Sequence, residues 1–304
     1  MNKDPVFIYG SVAYDCIETP FAKADYILGG SASYAALACS FFAPACIASK
    51  IGADFREADI LRLQKRGVDT SLIERDPSQK TFFWRGKYYD NFNNRDTLEV
   101  RTEIYDNYEP KLGENAKNGK YILLANTSPR SQAKFLDGVR APAFTVLDSM
   151  NLWIEIANPE LRSLIKRANL LILNDSEARQ LTGESNVISA GDMLLSSFGA
   201  ESAIIKKGEN GAVLFHKDGM FTIPSYPVRS LYDPTGAGDS FAGALIGQIA
   251  ASADSSFTGI KRAMLSATAV ASLTVESFSS DKLENAGLAE IEARKKFLTE
   301  FTRV

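Results

Sequence analysis

The sequence predicts an α/β fold built on a mostly parallel sheet, with a small second β-sheet beside it. Three observations carry that expectation. Short apolar runs of strand length alternate with helix-length stretches along most of the chain. Several of these runs end at a glycine or a polar residue, as at Gly10, Asp148 and Asn174. One stretch, 81–104, breaks the rhythm with two β-prone runs and no helix between them. With 304 residues, 45% of them hydrophobic, the chain is long enough for one large core with a small appendage.

The elements follow in order. Residues 6–10 form an apolar strand ending in glycine, and 11–28 make a mixed excursion around Pro20. Gly29 and Gly30 open an alanine-rich helix over 31–42, followed by a strand at 45–49 and a helix near 55–66. Residues 81–89 and 98–104 read as antiparallel strands around a polar turn at 90–96. The βα rhythm resumes with strands at 121–125, 144–148, 170–173 and 203–207. Ser128 with Pro129, and Asn158 with Pro159, are helix starts with a cap and an N1 proline. A helix over 176–181 stops at Gly183, and another spans 187–198. Residues 212–216 and 220–223 form an edge hairpin that contains His216. Helices near 241–249, 259–275 and 288–301 end the chain. The predicted division is a core of 1–10, 29–78 and 106–304, with a lid of 11–28 and 79–105.

Composition narrows the function. Net charge is −3, and the 34 basic residues are dispersed among 37 acidic ones. No basic block suggests a nucleic-acid or membrane surface. No apolar run reaches membrane-spanning length, and no signal peptide is read at the start. Cys16, Cys39 and Cys46 lack CxxC spacing, so reduced thiols and a cytoplasmic location are expected. A lone histidine excludes a multi-histidine metal site.

The stretch with the most chemistry is DPTGAGDSFAGA, residues 233–244. Gly236 and Gly238 let the turn aim successive backbone N–H groups at one point. The apolar helix that follows adds its dipole and its unpaired first-turn donors, which makes an anion site. Asp239, in the first helical turn, is repulsive to an anion unless it accepts a proton. A phosphate cradle with a base beside it is the layout of a phosphoryl transferase. The same residues also suit an ordinary glycine turn with a capping aspartate. No Walker A motif, Rossmann fingerprint or protein-kinase signature set appears.

DPTGAGDSFAGA strongly resembles the second signature of the ribokinase-like (phosphofructokinase-B) family of small-molecule kinases. The resemblance runs from Val6 to about Ser280 and implies a three-layer αβα core with a β-sheet lid. It implies Asp239 as general base, with the N–H groups of Gly236, Ala237 and Gly238 as anion hole. It further implies Asp15 as a ligand for acceptor hydroxyls. Gly29 and Gly30 resemble the first family signature, although Tyr34 stands where an asparagine that contacts a sugar is usual. Tyr34 is either a stacking surface for a flat acceptor or a packing residue. Asn174 and Glu177 match the Asn-x-x-Glu motif, implying a phosphate contact and a water-mediated hold on Mg²⁺. The pair also suits a helix cap. Lys206, Gly208 and Gly211 resemble the nucleotide loop, with Lys206 in place of the usual threonine, and Ser272 falls on one wall of the implied adenine pocket. Asp233 and Thr235 coincide with positions that help bind a monovalent cation such as potassium. Asp148 starts a strand-end pattern whose spacing is shifted by one residue, so no role is carried over to it.

The expected activity is transfer of the ATP γ-phosphoryl group to a hydroxymethyl group of a small sugar or nucleoside. Phe82, Phe83, Trp84, Tyr88 and Tyr89 supply aromatic faces in the lid. The lid strands suit a cap over the cleft and a homodimer contact alike. The alternative is a non-catalytic nucleotide- or sugar-binding protein on the same scaffold.

Overall fold

The computed structural model describes residues 4–89, 92, 95–105 and 108–302. Strand β1 (Val6–Tyr9) leads into the hairpin β2 (Ala13–Glu18) and β3 (Lys23–Gly29). Helix α1 (Ser31–Cys39), β4 (Ala45–Gly52), α2 (Glu57–Lys65) and β5 (Asp69–Asp76) follow. A second hairpin is β6 (Phe82–Tyr88) and β7 (Arg95–Arg101). After α3 (Glu114–Lys117) come β8 (Tyr121–Leu124), α4 (Pro129–Asp137), β9 (Phe144–Asp148), α5 (Asn151–Ile156) and α6 (Asn158–Ile165). Next are β10 (Leu170–Asn174), α7 (Asp175–Thr182), α8 (Val187–Ser196), β11 (Ser202–Lys206), β12 (Ala212–His216) and β13 (Gly219–Ile223). The chain closes with α9 (Ala237–Ser252), α10 (Phe257–Thr274), α11 (Asp281–Asn285) and α12 (Leu288–Phe301).

Among the described residues, nine strands pair in the order β13-β12-β11-β10-β9-β8-β1-β4-β5. The seven strands from β11 to β5 pair in parallel; β12 and β13 are antiparallel. Apolar runs buried on both faces explain the parallel part. Val6 and Ile8 point into one apolar cluster with α1, α9 and α10. Phe7 and Tyr9 point into the other, with α4, α6, α7 and α8. The result is the three-layer αβα arrangement expected. No described helix is long and apolar enough to cross a membrane.

The second sheet has the order β3-β2-β6-β7, drawn from the two stretches expected to form a lid. Its hairpins are antiparallel, and β2 joins β6 in parallel. Tyr14 anchors it to α2: the ring stacks on Phe55 at 5.1 Å, and the hydroxyl donates to Asp59 Oδ2 at 3.0 Å.

Several boundaries differ from the sequence reading. The strand expected over 98–104 is β7, which begins at Arg95, and Glu103–Tyr105 is a single 3-10 turn instead. In the expected polar turn, Asp90, Asn91, Asn93 and Asn94 lie outside the described residues. Edge strand β5 was not anticipated, because a polar half-exposed strand lacks an apolar run. Helix α9 starts four residues earlier than expected, at Ala237, since the glycine turn itself makes its first turn.

Helices α1 and α9 touch almost backbone to backbone at Gly243. A Cβ there would lie 2.0 Å from the Ala35 carbonyl oxygen. Gly243→Ala is expected to separate the two helices and cost about 1–3 kcal/mol, read as a lower midpoint in urea unfolding with an unchanged slope.

Candidate active site

In an open α/β sheet the ligand crevice lies beyond the carboxyl ends of the strands, where strand order reverses. Here the chain leaves β1 toward β4 on one side and later fills β8 to β11 on the other. Asp148, Asn174 and Lys206 are the last residues of β9, β10 and β11, so all three stand at that end. The start of α9 faces them, packed against α1, β1, β8 and β9.

The glycine turn has the conformation its sequence requires. Gly236 caps α9 with φ 79°, a left-handed geometry that other residues resist. A Cβ on Gly236 would also lie 2.5 Å from the Tyr34 ring, so Tyr34 forms the floor of the turn. Tyr34 is only 1% exposed, which makes it a packing residue rather than a stacking surface. Its buried hydroxyl has no hydrogen-bond partner, and the Asp15, Asp233 and Asp239 carboxyls lie near it. Burial, then those carboxyls, raise the phenol well above its ordinary value. One expected donor is otherwise engaged: the Ala237 N–H donates to the Pro234 carbonyl at 3.2 Å. The cradle therefore rests on Gly236, Gly238 and the first turn of α9 rather than on three successive donors.

Asp239 sits in that first turn. Desolvation and the charge of Asp148 push its carboxyl up to about 7, against the pull of Lys206 and Arg95. Burial raises Asp15 to about 8, helped by Asp233 and Asp239. The Asp15 carboxylate fits because residue 29 is glycine: a Cβ there would lie 2.0 Å from Asp15 Oδ2. Gly30, with φ 93°, begins α1 where a Cβ would strike the Ser11 carbonyl at 2.4 Å. Asp233 is raised to about 6 by burial, with Thr235 lowering it in part. One Asp233 oxygen accepts from the Thr235 N–H at 2.9 Å; the other is buried with no hydrogen-bond partner.

Asn174 and Glu177 form a reciprocal helix cap. Asn174 Oδ1 accepts from the Glu177 N–H at 2.8 Å, and Glu177 Oε2 accepts from the Asn174 N–H at 2.7 Å. Glu177 is also buried against Lys206 and rises to about 7, with desolvation the main cause. The loop after β11 closes tightly. Lys207 N–H donates to the Gly211 carbonyl at 2.7 Å, and a Cβ on Gly211 would meet the Ile223 carbonyl at 1.9 Å. Gly208 opens the loop with φ 56°. Ser272 differs from expectation. Its hydroxyl donates to the Ala269 carbonyl at 2.7 Å and accepts from Arg294 Nη1 at 2.8 Å. It is a link between α10 and α12, not a free group on a pocket wall.

Three groups absent from the expected set belong to this site. Asp148, 4% exposed, pairs with Lys206 Nζ at 3.7 Å. Tyr88, at the end of β6, shares a hydrogen bond of 3.0 Å with Thr235 Oγ1, which ties the second sheet to the glycine turn. Arg95, opposite Tyr88 in the ladder, faces Asp15, Glu177 and Asp239 electrostatically. Asp148 was legible as a strand-end carboxylate. Arg95 gave no sequence signal, because only the folded hairpin brings it over the cleft.

A half-buried carboxylate in the first turn of α9, a glycine turn and a lysine at a strand end come together beside the second sheet. The chain belongs to the pfkB family of carbohydrate kinases, which its residues 4–285 match. It is a phosphotransferase with a hydroxyl acceptor. Among its relatives is a cytidine kinase of Thermococcus kodakarensis, 26% identical over 245 residues, 79% of this chain and 86% of the relative. A putative ribokinase II from E. coli, solved with ATP and Mg²⁺, shares the fold: TM-score 0.78, 22% identity, 97% of this chain and 99% of the other. Burkholderia thailandensis nucleoside kinase with inosine does so too: TM-score 0.76, 23% identity, 97% and 99% covered.

The raised Asp239 carboxyl has a stability consequence. A folded-state value near 7 against 3.8 means that folding favours the protonated form. That contribution is fully present below the unfolded value and is lost as pH rises through the folded one. Asp239→Asn is expected to raise Tm at about pH 8, with the gain shrinking toward about pH 4. Thermal scans across that range test it.

Proposed function

We propose that this protein transfers the γ-phosphoryl group of ATP to the hydroxymethyl group of a nucleoside. The observation that carries the acceptor reading is the pairing of Asp15 with Trp84 in the β2–β6 ladder. Paired residues share a face of a sheet, so Asp15 and Trp84 are on the same side of the lid, with the indole lying over Gly86 and donating to Thr97 Oγ1 at 3.1 Å. Tyr88 is on the same face, its ring edge-on to Trp84 at 6.5 Å. A ribose binds its hydroxyls to the carboxylate while its base lies against the indole. The cytidine-kinase relative and the inosine-bound fold neighbour support the same class.

In the proposed reaction, Asp239 takes the proton of the acceptor hydroxyl as its oxygen attacks the γ-phosphorus. The Gly236–Gly238 turn and the first turn of α9 face the developing charge. The lid contact between Tyr88 and Thr235 helps exclude water, the competing acceptor. The residues present fit Mg²⁺. Among the described residues no three metal-ligating side chains converge on one point, and Glu177 offers one buried carboxylate near Lys206. That suits an ion that keeps its waters and is held mainly by phosphates. When bound, the ion neutralises phosphate charge. Asp233, with one buried carboxylate oxygen lacking a hydrogen-bond partner, fits a monovalent cation behind the turn; Thr235 would share that role while bonded to Tyr88.

Two tests follow. Asp239→Asn is expected to lower kcat by about 10²–10⁴-fold with ATP affinity nearly unchanged; substantial residual turnover removes Asp239 from the role of base. In a coupled ADP-release assay, nucleosides are expected to exceed free pentoses and hexoses in kcat/KM. The opposite order assigns the site to a free sugar, and no turnover with either leaves a binding protein.

A further inference from the structure

Resting on the kinase reading above, we propose that Lys206 is a catalytic residue whose ammonium contacts the transferring phosphoryl group itself, with Asp148 as its positioning residue. The geometry points there. Lys206 ends β11, and its Nζ lies 2.8 Å from where a Cβ on Gly238 would stand. The ammonium is therefore against the anion turn and not out along the loop from Gly208 to Gly211. Glycine at 238 leaves the space that the ammonium uses.

Asp148 reaches this ammonium from β9, across β10. The separation of 3.7 Å is an ion pair but is longer than a hydrogen bond. Asp148 Oδ1 is buried and accepts no hydrogen bond. Asp148 thus fixes where the ammonium sits without occupying its donors. Three N–H donors remain for a ligand beside the turn. Burial works against the charge on Lys206, but Asp148, Glu177 and Asp239 outweigh it and keep the amine protonated. A permanent cation at the cradle is what a phosphoryl group in flight requires.

The step balances as follows. The acceptor oxygen forms a bond to the γ-phosphorus, and the bond from that phosphorus to the β–γ bridging oxygen breaks. The acceptor proton passes to Asp239, and ADP leaves with the electron pair. Lys206 neither gives nor takes a proton; it offsets charge on the transferred oxygens.

The pH dependence separates this role from a structural one. The groups that face Asp239 are Asp148, Lys206, Arg95, Asp15 and the Tyr34 hydroxyl. Among them Lys206 lowers the Asp239 value and Asp148 raises it. Removing each should move the acid limb of kcat/KM in opposite directions.

The test uses the full chain with Mg²⁺, comparing wild type, Lys206→Met, Lys206→Arg, Asp148→Asn and the Asp148→Asn/Lys206→Met pair. Calorimetry measures ADP and a non-hydrolysable ATP analogue without acceptor. Lys206→Met is expected to lower kcat by about 10²–10³-fold. Its ADP Kd should stay within about threefold, while the analogue loses its advantage over ADP. The acid limb should rise in Lys206→Met and fall in Asp148→Asn. Lys206→Arg, which keeps the charge, should retain the preference for the analogue. The double variant, with neither charge left unpaired, should melt like wild type yet match Lys206→Met in kcat. Equal loss of ADP and analogue affinity would overturn the proposal by placing Lys206 on the nucleotide's other phosphates. So would a Lys206→Met kcat within about threefold of wild type, or limbs that do not move. Failure of the kinase reading looks different: wild type then releases no ADP with any acceptor, and the binding pair alone decides where Lys206 acts.

Discussion

Like charge crowded into a desolvated cleft is the constraint on which the rest of this structure depends. Asp148, Glu177, Asp233 and Asp239 stand at the carboxyl ends of the strands or the turn facing them, Asp15 reaches in from β2, and all five are raised in pKa. Two cations, Lys206 and Arg95, offset part of that charge, and the positive end of α9 adds a fraction more. Burial of carboxylates at this density opposes folding near neutral pH. It persists because the surrounding packing leaves no alternative position for the elements that carry them.

That packing is dense where the charge is greatest. Gly243 brings α9 against α1, and the Tyr34 ring fills the space beneath Gly236. Gly29 admits the Asp15 carboxylate, and Gly238 admits the Lys206 ammonium. In each case the missing Cβ is occupied by a neighbour, so these glycines are as much about space as about backbone freedom. The glycine turn is therefore held by steric contact on one side and by the Asp233–Thr235 hydrogen bond on the other. A rigid turn keeps its donors aimed before any ligand arrives, which is the condition for electrostatic catalysis.

How much of this could be read in the sequence depended on how local the signal was. Most parallel strands were legible because each is a short apolar run with a punctuated end, and so the ends at Asp148 and Asn174 were legible too, while the strand expected over 203–207 ends one residue earlier, at Lys206. Strand β5 was not, because most of its residues are polar and its partial burial comes from β4 beside it and from the clusters that Leu72 and Ile73 pack against. The glycine turn and Asp239 were legible from spacing. What Tyr34 does was not: a tyrosine in an alanine-rich helix gives no hint that its ring lies under a turn two hundred residues later. Ser272 shows the converse failure. Its position pointed to the cleft, but Arg294 from α12 engages its hydroxyl, a contact that no local pattern encodes.

The lid adds a further step, since its function depends on which of its faces meets the turn. Strand alternation puts Trp84 and Tyr88 on one face of β6, and the parallel ladder adds Asp15 from β2 to that face. The Tyr88–Thr235 hydrogen bond fixes this face toward the glycine turn. Phe83, on the opposite face, is covered by Tyr26 and by the Arg101 guanidinium at 4.2 Å, so it offers nothing to an acceptor. Phe82 shares the Asp15 face by the same alternation but packs on Tyr105 at 6.0 Å, which leaves Trp84 and Tyr88 as the β6 rings on that face nearer the turn. An acceptor that reaches Asp239 with its hydroxymethyl group and Asp15 with its ring hydroxyls must run beneath that pair. Arg95 lies over that indole, its guanidinium 5.6 Å from the ring, and glycine at 86 leaves the space the ring occupies, so whatever enters there meets a cation and ring together rather than a bare aromatic surface.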